Sequence, residues 1–216
     1  MTGIGDEAAR AIEQRIRAIE AATGVQVIAA VVPRADDYVE AHWRAFALGT
    51  AAAALAAVAV DLGRPDWPAS GALLAQALVI LGAGALAGTL ARFVPALRRL
   101  LIGPLRGQHE ARQCAEAMFL ERELFATPSR TAVLILVAEL ERAVVVLPDT
   151  GHRSRIAEEA WGGVVGAMLP PLRAGQAARA FDAGLAALEA LLLAHGHRPG
   201  AGGTGIDDAL VRGEAP

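Results

Sequence analysis

AFALGTAAAALAAVAVDL (Ala45–Leu62) and GALLAQALVILGAGALAGTLA (Gly71–Ala91) are the two runs on which the reading of this chain turns. The first carries no charge until Asp61, and the second has Gln76 as its one strongly polar side chain. Eighteen helical residues rise about 27 Å, close to the roughly 30 Å of a bilayer's hydrocarbon core. Between the runs, Gly63-Arg-Pro-Asp-Trp-Pro is a short polar turn. Its Pro65 and Pro68 break helix, and its Trp67 suits a membrane interface. A turn that short makes the two helices antiparallel and leaves both flanking segments on one side of the bilayer. The competing reading is a helical hairpin buried in a soluble core. The roughly 150 other residues would then have to cover both helices on every face, and a core that small does not suffice. The runs are therefore read as a transmembrane hairpin with the lipid bilayer as partner.

The rest of the composition agrees. The 216-residue chain is 54% hydrophobic and 20% charged, against about 25% charged in soluble domains, and the apolar excess lies in the two runs. A net charge of −3 and a pI near 6.0 offer no basic field for nucleic acid. Cys114 stands alone, so no internal disulfide forms, as expected of a reducing compartment. The first residues, Met1-Thr-Gly-Ile-Gly-Asp-Glu, lack the basic and apolar regions of a secretory signal. Arg44, Arg92, Arg98, Arg99 and Arg106 flank the soluble side of the hairpin, against Arg64 alone in the turn. The positive-inside rule then predicts a two-pass protein of the cell inner membrane with its soluble domain in the cytoplasm.

Outward from the hairpin, residues 1–44 hold the first part of an α/β domain. Asp6–Ala22 is an amphipathic helix with Ala9, Ile12, Ile16 and Ile19 on one stripe, Asp6 as N-cap and Gly24 as stop. Val25–Val32 is apolar on both faces and reads as a central buried strand. The hairpin takes residues 45–94, and the domain resumes over 95–196. There the pattern predicts a helix over Leu105–Phe125 and β-rich runs at Thr131–Ala138 and Ala143–Leu147. A further helix is expected from an N-cap at Ser154 to about Leu169, then a break at Pro170-Pro171, then a last helix over Ala177–Ala194. Glycine, proline and acidic residues predict a disordered tail over 197–216. The fold class is α/β, with helices layered on a small mixed sheet that pairs across the inserted hairpin.

Several segments resemble the TPM domain family. They are Thr23-Gly-Val-Gln-Val-Ile, Asp36-Asp-Tyr, and Arg130-Thr-Ala-Val-Leu-Ile-Leu-Val-Ala-Glu-Leu-Glu-Arg. The match continues through Asp149-x-Gly151, Ile156, Trp161, and Leu172-Arg-x-Gly175 leading to Gly184-Leu185. The resemblance covers most of residues 6–195. It implies a three-layer α/β/α sandwich, and bacterial members often carry a membrane hairpin inserted after the first strand. Through plant thylakoid members it also implies photosystem repair, acid phosphatase activity and divalent-metal binding. This chain departs from the family pattern at Gln176, where members often place an acid, and at Thr131, where glycine is frequent.

For chemistry, the candidate anion or metal site is Asp149, His152 and Arg153 with Arg155, just beyond a strand end. Asp149 can act as an acid or a ligand there, and the arginines can hold an anion; the same residues also make an ordinary solvated loop. Asp36 and Asp37 follow the first strand and are expected at the same sheet edge, as a second carboxylate group or simply a turn. His195-x-His197 has metal-ligand spacing but no third ligand. No P-loop, Gly-x-Ser-x-Gly or His-Glu-x-x-His motif is present. Gly84 and Gly88 permit close helix packing, either between copies in a homo-oligomer or within the hairpin. Three functions follow as expectations. The first is a non-catalytic membrane-anchored module binding or stabilising a membrane or cytoplasmic protein. The second is a phosphatase-like hydrolase using a divalent cation, and the third is an oligomeric transport accessory.

Overall fold

The computed structural model describes residues 4–63, 69–199 and 210–212; Arg64, Pro65, Trp67 and Pro68 of the expected turn lie outside them. The chain divides into two compact units, Met1–Asp36 with Gly107–Pro216, and Asp37–Arg106.

The first unit is built on α1 (Asp6–Thr23) and β1 (Val27–Val32), with the middle and end of the chain completing it. Ile12, Ile16 and Ile19 fall on one face of α1 and are buried; burying each contributes about 1.5–3 kcal/mol. Gly5, rather than Asp6, caps the helix, and Asp6 occupies its first turn, where its charge complements the helix dipole. Gly24 ends α1 in the left-handed region at φ 68, its N–H bonding to the Glu20 carbonyl, as a C-terminal glycine does. Glu20 is itself buried and accepts the Val27 N–H at 2.9 Å, tying the helix end to the strand start.

All six residues of β1 are buried. β1 pairs in parallel with β2 (Val133–Ala138), Val27 opposite Val133, and β2 pairs antiparallel with β3 (Ala143–Pro148), Val133 opposite Pro148. Side chains alternate across this sheet. Val27, Ala29, Val31, Val133, Ile135 and Val137 enter one core with α1, α6 (Trp161–Arg173) and α7 (Ala177–Ala194). Ile28, Ala30, Val32, Leu134, Leu136 and Ala138 enter the other with Ala111, Cys114, Ala115 and Met118 of α5 (Pro104–Glu121). The period-2 alternation thus produces the three layers expected. A parallel pair requires a long crossover, and the second unit is inserted into that crossover.

Three further local expectations change. α6 begins at Trp161 instead of Ser154; residues between Asp149 and Ala160 form short 3-10 turns that put His152 and Ile156 inside. α6 continues through Pro170 and Pro171 to Arg173. The lost donors fall in its final turns, where the N–H groups of Ala174, Gly175 and Gln176 close onto Pro170, Leu172 and Pro171. The segment expected to be a disordered tail contributes structure at His197, which is buried, and at Val211–Arg212, which form a short strand β4 parallel to β1. The open edge of β1 supplies unpaired backbone groups, and Leu210 is buried beside it.

The second unit consists of α2 (Val39–Gly63), α3 (Ala69–Phe93) and α4 (Pro95–Ile102). α2 and α3 are longer than the apolar runs that announce them. They pack as an antiparallel pair. A Cβ on Gly88 would meet the His42 carbonyl and Phe46, one on Gly84 would overlap Thr50, and one on Gly49 would stand 2.7 Å from Ala87 Cβ. Nearer the turn, Gln76 donates to both carboxylate oxygens of Asp61 at 2.8 and 2.9 Å. Partner positions therefore descend on α3 as they ascend on α2. Two helical stretches, Val39–Gly63 and Leu73–Phe93, are long and apolar enough to cross a membrane, and only 6% of the most apolar window of each is buried. A core helix of a soluble protein is mostly buried; here Leu48, Leu55, Val58, Leu74, Leu78, Val79 and Leu86 are exposed.

Candidate functional site

The candidate site grows from the open end of the β2–β3 hairpin. The register places Asp149, one residue past β3, beside the residues that lead into β2, and the Asp149 N–H bonds to the Ala132 carbonyl at 2.9 Å. Arg130 sits in the left-handed region at φ 53 and turns its guanidinium onto Asp149. Its Nε donates to Oδ2 at 2.8 Å and its Nη2 to Oδ1 at 3.0 Å. Asp149 Oδ1 also accepts the Thr150 N–H at 2.6 Å and the Thr150 hydroxyl at 3.3 Å. The Asp149 side chain is 2% exposed and its oxygens are taken up. Burial pushes its carboxyl up, but the Arg130 and Thr150 hydrogen bonds together prevail and hold it below the usual carboxylate range. The Asp149 hydrogen bond raises Arg130 in turn. Asp149 is thereby an ionised anchor for the loop.

Gly151 follows at the tightest point. A Cβ there would lie 2.5 Å from the Arg130 and Ser129 carbonyls, and the Gly151 N–H bonds to the Arg130 carbonyl at 2.8 Å. This close approach of backbones requires glycine.

His152 is then directed inward. Its Nε2 lies 2.8 Å from the Thr131 carbonyl, which can only accept, so Nε2 carries the proton and, among the described residues, Nδ1 has no hydrogen-bond partner. The ring stands edge-on to Trp161 with centroids 5.2 Å apart, and tilted against His197 at 5.0 Å. His197 is held by the way α7 ends. The Gly196 N–H bonds to the Leu193 carbonyl and the His197 N–H to the Leu192 carbonyl, with Gly196 left-handed at φ 78. Among the described residues, His197 Nε2 is buried without a hydrogen-bond partner. Burial lowers the pKa of His152, against the hydrogen bond to Thr131 and the charge of Asp149, which raise it. Burial, then His152, Arg155 and His195, lower His197 to about 4. Both rings are neutral at physiological pH.

The other expected site residues disperse. Arg153 and Arg155 are exposed on the loop surface. Asp36 is not at this sheet edge. β1 and β2 run parallel, so Asp36 lies beyond the C-terminal end of β1 while Asp149 lies beside the N-terminal end of β2. Strand length alone separates those ends by roughly 17 Å. Asp37 follows Asp36 in the chain and belongs to the second unit, where its carbonyl accepts from Arg98 at 3.0 Å. His195 bonds through Nδ1 to the Leu191 carbonyl of its own helix at 2.8 Å, while His197 packs on His152. Among the described residues, no group of three or more His, Cys, Asp and Glu side chains is placed to hold a metal ion. Gly84 and Gly88 face α2 of the same hairpin. Cys114 is buried on α5; burial, with Glu141 adding, raises its pKa, which favours the inert thiol.

Sequence reasoning missed Arg130 as the partner of Asp149 and His197 as the partner of His152. The antiparallel register of the two β-rich runs carried the first signal, and Ala194-His-Gly-His, a helix followed by glycine, carried the second.

Residues 96–191 match the family model described as the TPM domain. Over those residues, just under half of its length, the chain is similar to the TPM domain. The match starts in α4 and ends in α7, and α1 and β1, which precede the hairpin, complete the sheet from the other side of the insertion. A similar fold is seen in the NMR structure of BA42 protein from the psychrophilic bacterium Bizionia argentinensis. It is 11% identical to this chain, with a TM-score of 0.58 over 97% of this chain and 95% of that one. At that identity the likeness is one of fold. No curated protein matches the chain.

Proposed function

We propose that this chain is a two-pass protein of the cell inner membrane whose TPM domain lies on the cytoplasmic side and works as a non-catalytic binding or assembly module. The observation that supports it best is the exposed apolar surface of α2 and α3, which calls for lipid. Three polar side chains of the pair are satisfied within it: Gln76 by Asp61, and the Thr50 and Thr89 hydroxyls by the carbonyls of Phe46 and Ala85. In the domain, Asp149 serves architecture, which favours a module over a hydrolase. The partner is a membrane or cytoplasmic protein, and the arginine asymmetry favours the cytoplasmic side.

A phosphatase-like activity assisted by a divalent cation is the second reading, supported by the family resemblance alone. An oligomeric transport accessory is the third. Gly84 and Gly88, the stripe that would drive oligomerisation, are occupied by α2 of the same chain.

Sidedness is tested with Gln176→Cys in a Cys114→Ala background, since residue 176 is exposed. An impermeant maleimide should label it only after lysis; labelling of intact cells would place the domain outside. Recovery of the protein alone from detergent pull-downs across growth conditions would contradict the binding-module reading.

A further inference from the structure

The sheet of the first unit runs β3-β2-β1-β4, so β1 is paired on both sides and β3 is left as an edge. The phase of its ladder shows which groups that edge presents. The Asp149 N–H bonds to the Ala132 carbonyl, and bonded pairs alternate along an antiparallel ladder. Leu147 with Leu134 and Val145 with Leu136 are therefore the next bonded pairs. Val144 and Val146 turn their N–H and C=O groups away from β2, and among the described residues no strand receives them. Pro148, which has no N–H to leave unpaired, falls in the same outward phase and ends the run.

Edge strands are ordinarily blunted by a charge, a bulge or a covering segment. Residues 143–147 include no charge, and their register with β2 is unbroken. Val144 and Val146 are partly buried against the first core, Val145 and Leu147 against the second, so both faces stay incompletely covered along this edge. The two ends of the strand differ in sign. Residues 139–142, the turn before it, carry Glu139 and Glu141 against Arg142, two acids less one cation, −1. Residues 149–153 beyond it, with the attached Arg130, carry Arg130 and Arg153 against Asp149, two cations less one anion, +1, His152 being neutral.

We propose that the edge of β3 is a docking surface for β3 of a second copy, antiparallel about a two-fold axis at Val145. Val144 of each copy then stands opposite Val146 of the other, and each such pair exchanges both backbone hydrogen bonds. Val145 meets its own counterpart. The contact is self-complementary, as a two-fold interface requires, and β-branched side chains meet on both faces of the joined sheet. Antiparallel pairing also sets the acidic turn of each copy beside the basic end of the other. A foreign strand would satisfy the same backbone groups without that match of ends. The inference deepens the assembly reading above by naming a first contact, and it does not depend on the membrane reading.

The test treats the full chain, carrying Val145→Cys in a Cys114→Ala background, with a mild oxidant in membranes and in detergent. In a non-hydrogen-bonded antiparallel pair the Cα atoms stand about 4.5 Å apart, within the roughly 4.4–6.8 Å that a disulfide spans. A covalent dimer should form several-fold faster than with Val144→Cys or Val146→Cys, whose like cysteines are two residues out of register. Adding Glu139→Arg should slow the crosslink several-fold, and Glu139→Arg with Arg153→Glu should restore it. Val146→Pro removes an outward donor alone, so it should abolish the crosslink while unfolding stays cooperative. An absent dimer, equal rates at the three positions, or a rate unmoved by the charge reversal or by Val146→Pro overturns the proposal. A crosslink from Val145→Cys to a protein of different mass assigns the edge to a foreign strand and overturns it too. Those failures would remove this contact and leave the assembly reading to the pull-downs.

Discussion

Arg130 and Asp149 close the open end of the β2–β3 hairpin with two hydrogen bonds of 2.8 and 3.0 Å, nineteen residues apart in sequence. The pair sets the loop that carries His152 inward. It also removes from solution the carboxylate that the sequence offers as the leading chemical group. Asp149→Ala should therefore act on stability. The variant deletes the buried acceptor of the hydrogen bonds from Arg130 and Thr150, at about 1–3 kcal/mol, and thermal unfolding will show it. Asp149→Asn keeps an oxygen for Thr150 and should cost less. Equal, wild-type stability in both would remove Asp149 from the architecture.

Gly151→Ala tests the loop independently. Its new methyl would fall 2.5 Å from two carbonyl oxygens, those of Arg130 and Ser129. Overpacking of this kind costs about 1–3 kcal/mol, so the unfolding midpoint should fall clearly. Gly163→Ala, where nothing lies within 4 Å, is the control and should be tolerated.

The buried histidines make stability depend on pH in a defined window. An unfolded histidine titrates near 6.5, whereas His197 is lowered to about 4 and His152 is lowered in the same direction. The folded state thus binds fewer protons than the unfolded chain between those values. Stability from these rings is complete above about pH 6.5 and falls as pH drops toward 4. Asp149 has the usual carboxylate sign: its contribution is present above the unfolded carboxylate value and is lost as pH falls through its lower folded value. Unfolding midpoints measured from pH 7.5 to 4.5 should decline in the wild type and decline less in His197→Gln. An identical pH slope in both proteins would show that His197 does not titrate inside the fold.

In the helical pair, Gly82 and Gly84 give a matched contrast two residues apart. A Cβ on Gly84 runs into Thr50 and Phe46, while one on Gly82 meets nothing within 4 Å. Gly84→Leu should separate α2 from α3 and lower the thermal stability of the detergent-solubilised protein. Gly82→Leu should leave it near the wild-type value. Equal effects would mean that the glycine stripe is not the packing face.

The parts of the fold legible in the sequence are those fixed locally. Two long apolar runs, with Asp61 their one charge, announce two helices, a strand apolar on both faces announces a buried central position, and Gly24 marks a helix end through its own φ. Ala177–Ala194 is found with both limits because its apolar stripe and its flanks agree. The features that escaped depend on distant partners. α6 starts late because His152 and Ile156 are drawn into the core, and His152 meets a ring 45 residues further on, at His197. The separation of Asp36 from Asp149 depends on a parallel register that spans the inserted unit, which no local pattern encodes. The docking of Val211 on β1 depends on an edge left open elsewhere in the chain.

The central claim is that α2 and α3 lie in a bilayer and anchor the α/β domain to it. Alkaline carbonate extraction of membranes from cells expressing the full chain tests this most directly. The account predicts that the protein remains with the sedimented membranes and is released by detergent. Recovery in the carbonate supernatant would contradict it and return the exposed helical pair to a protein interface.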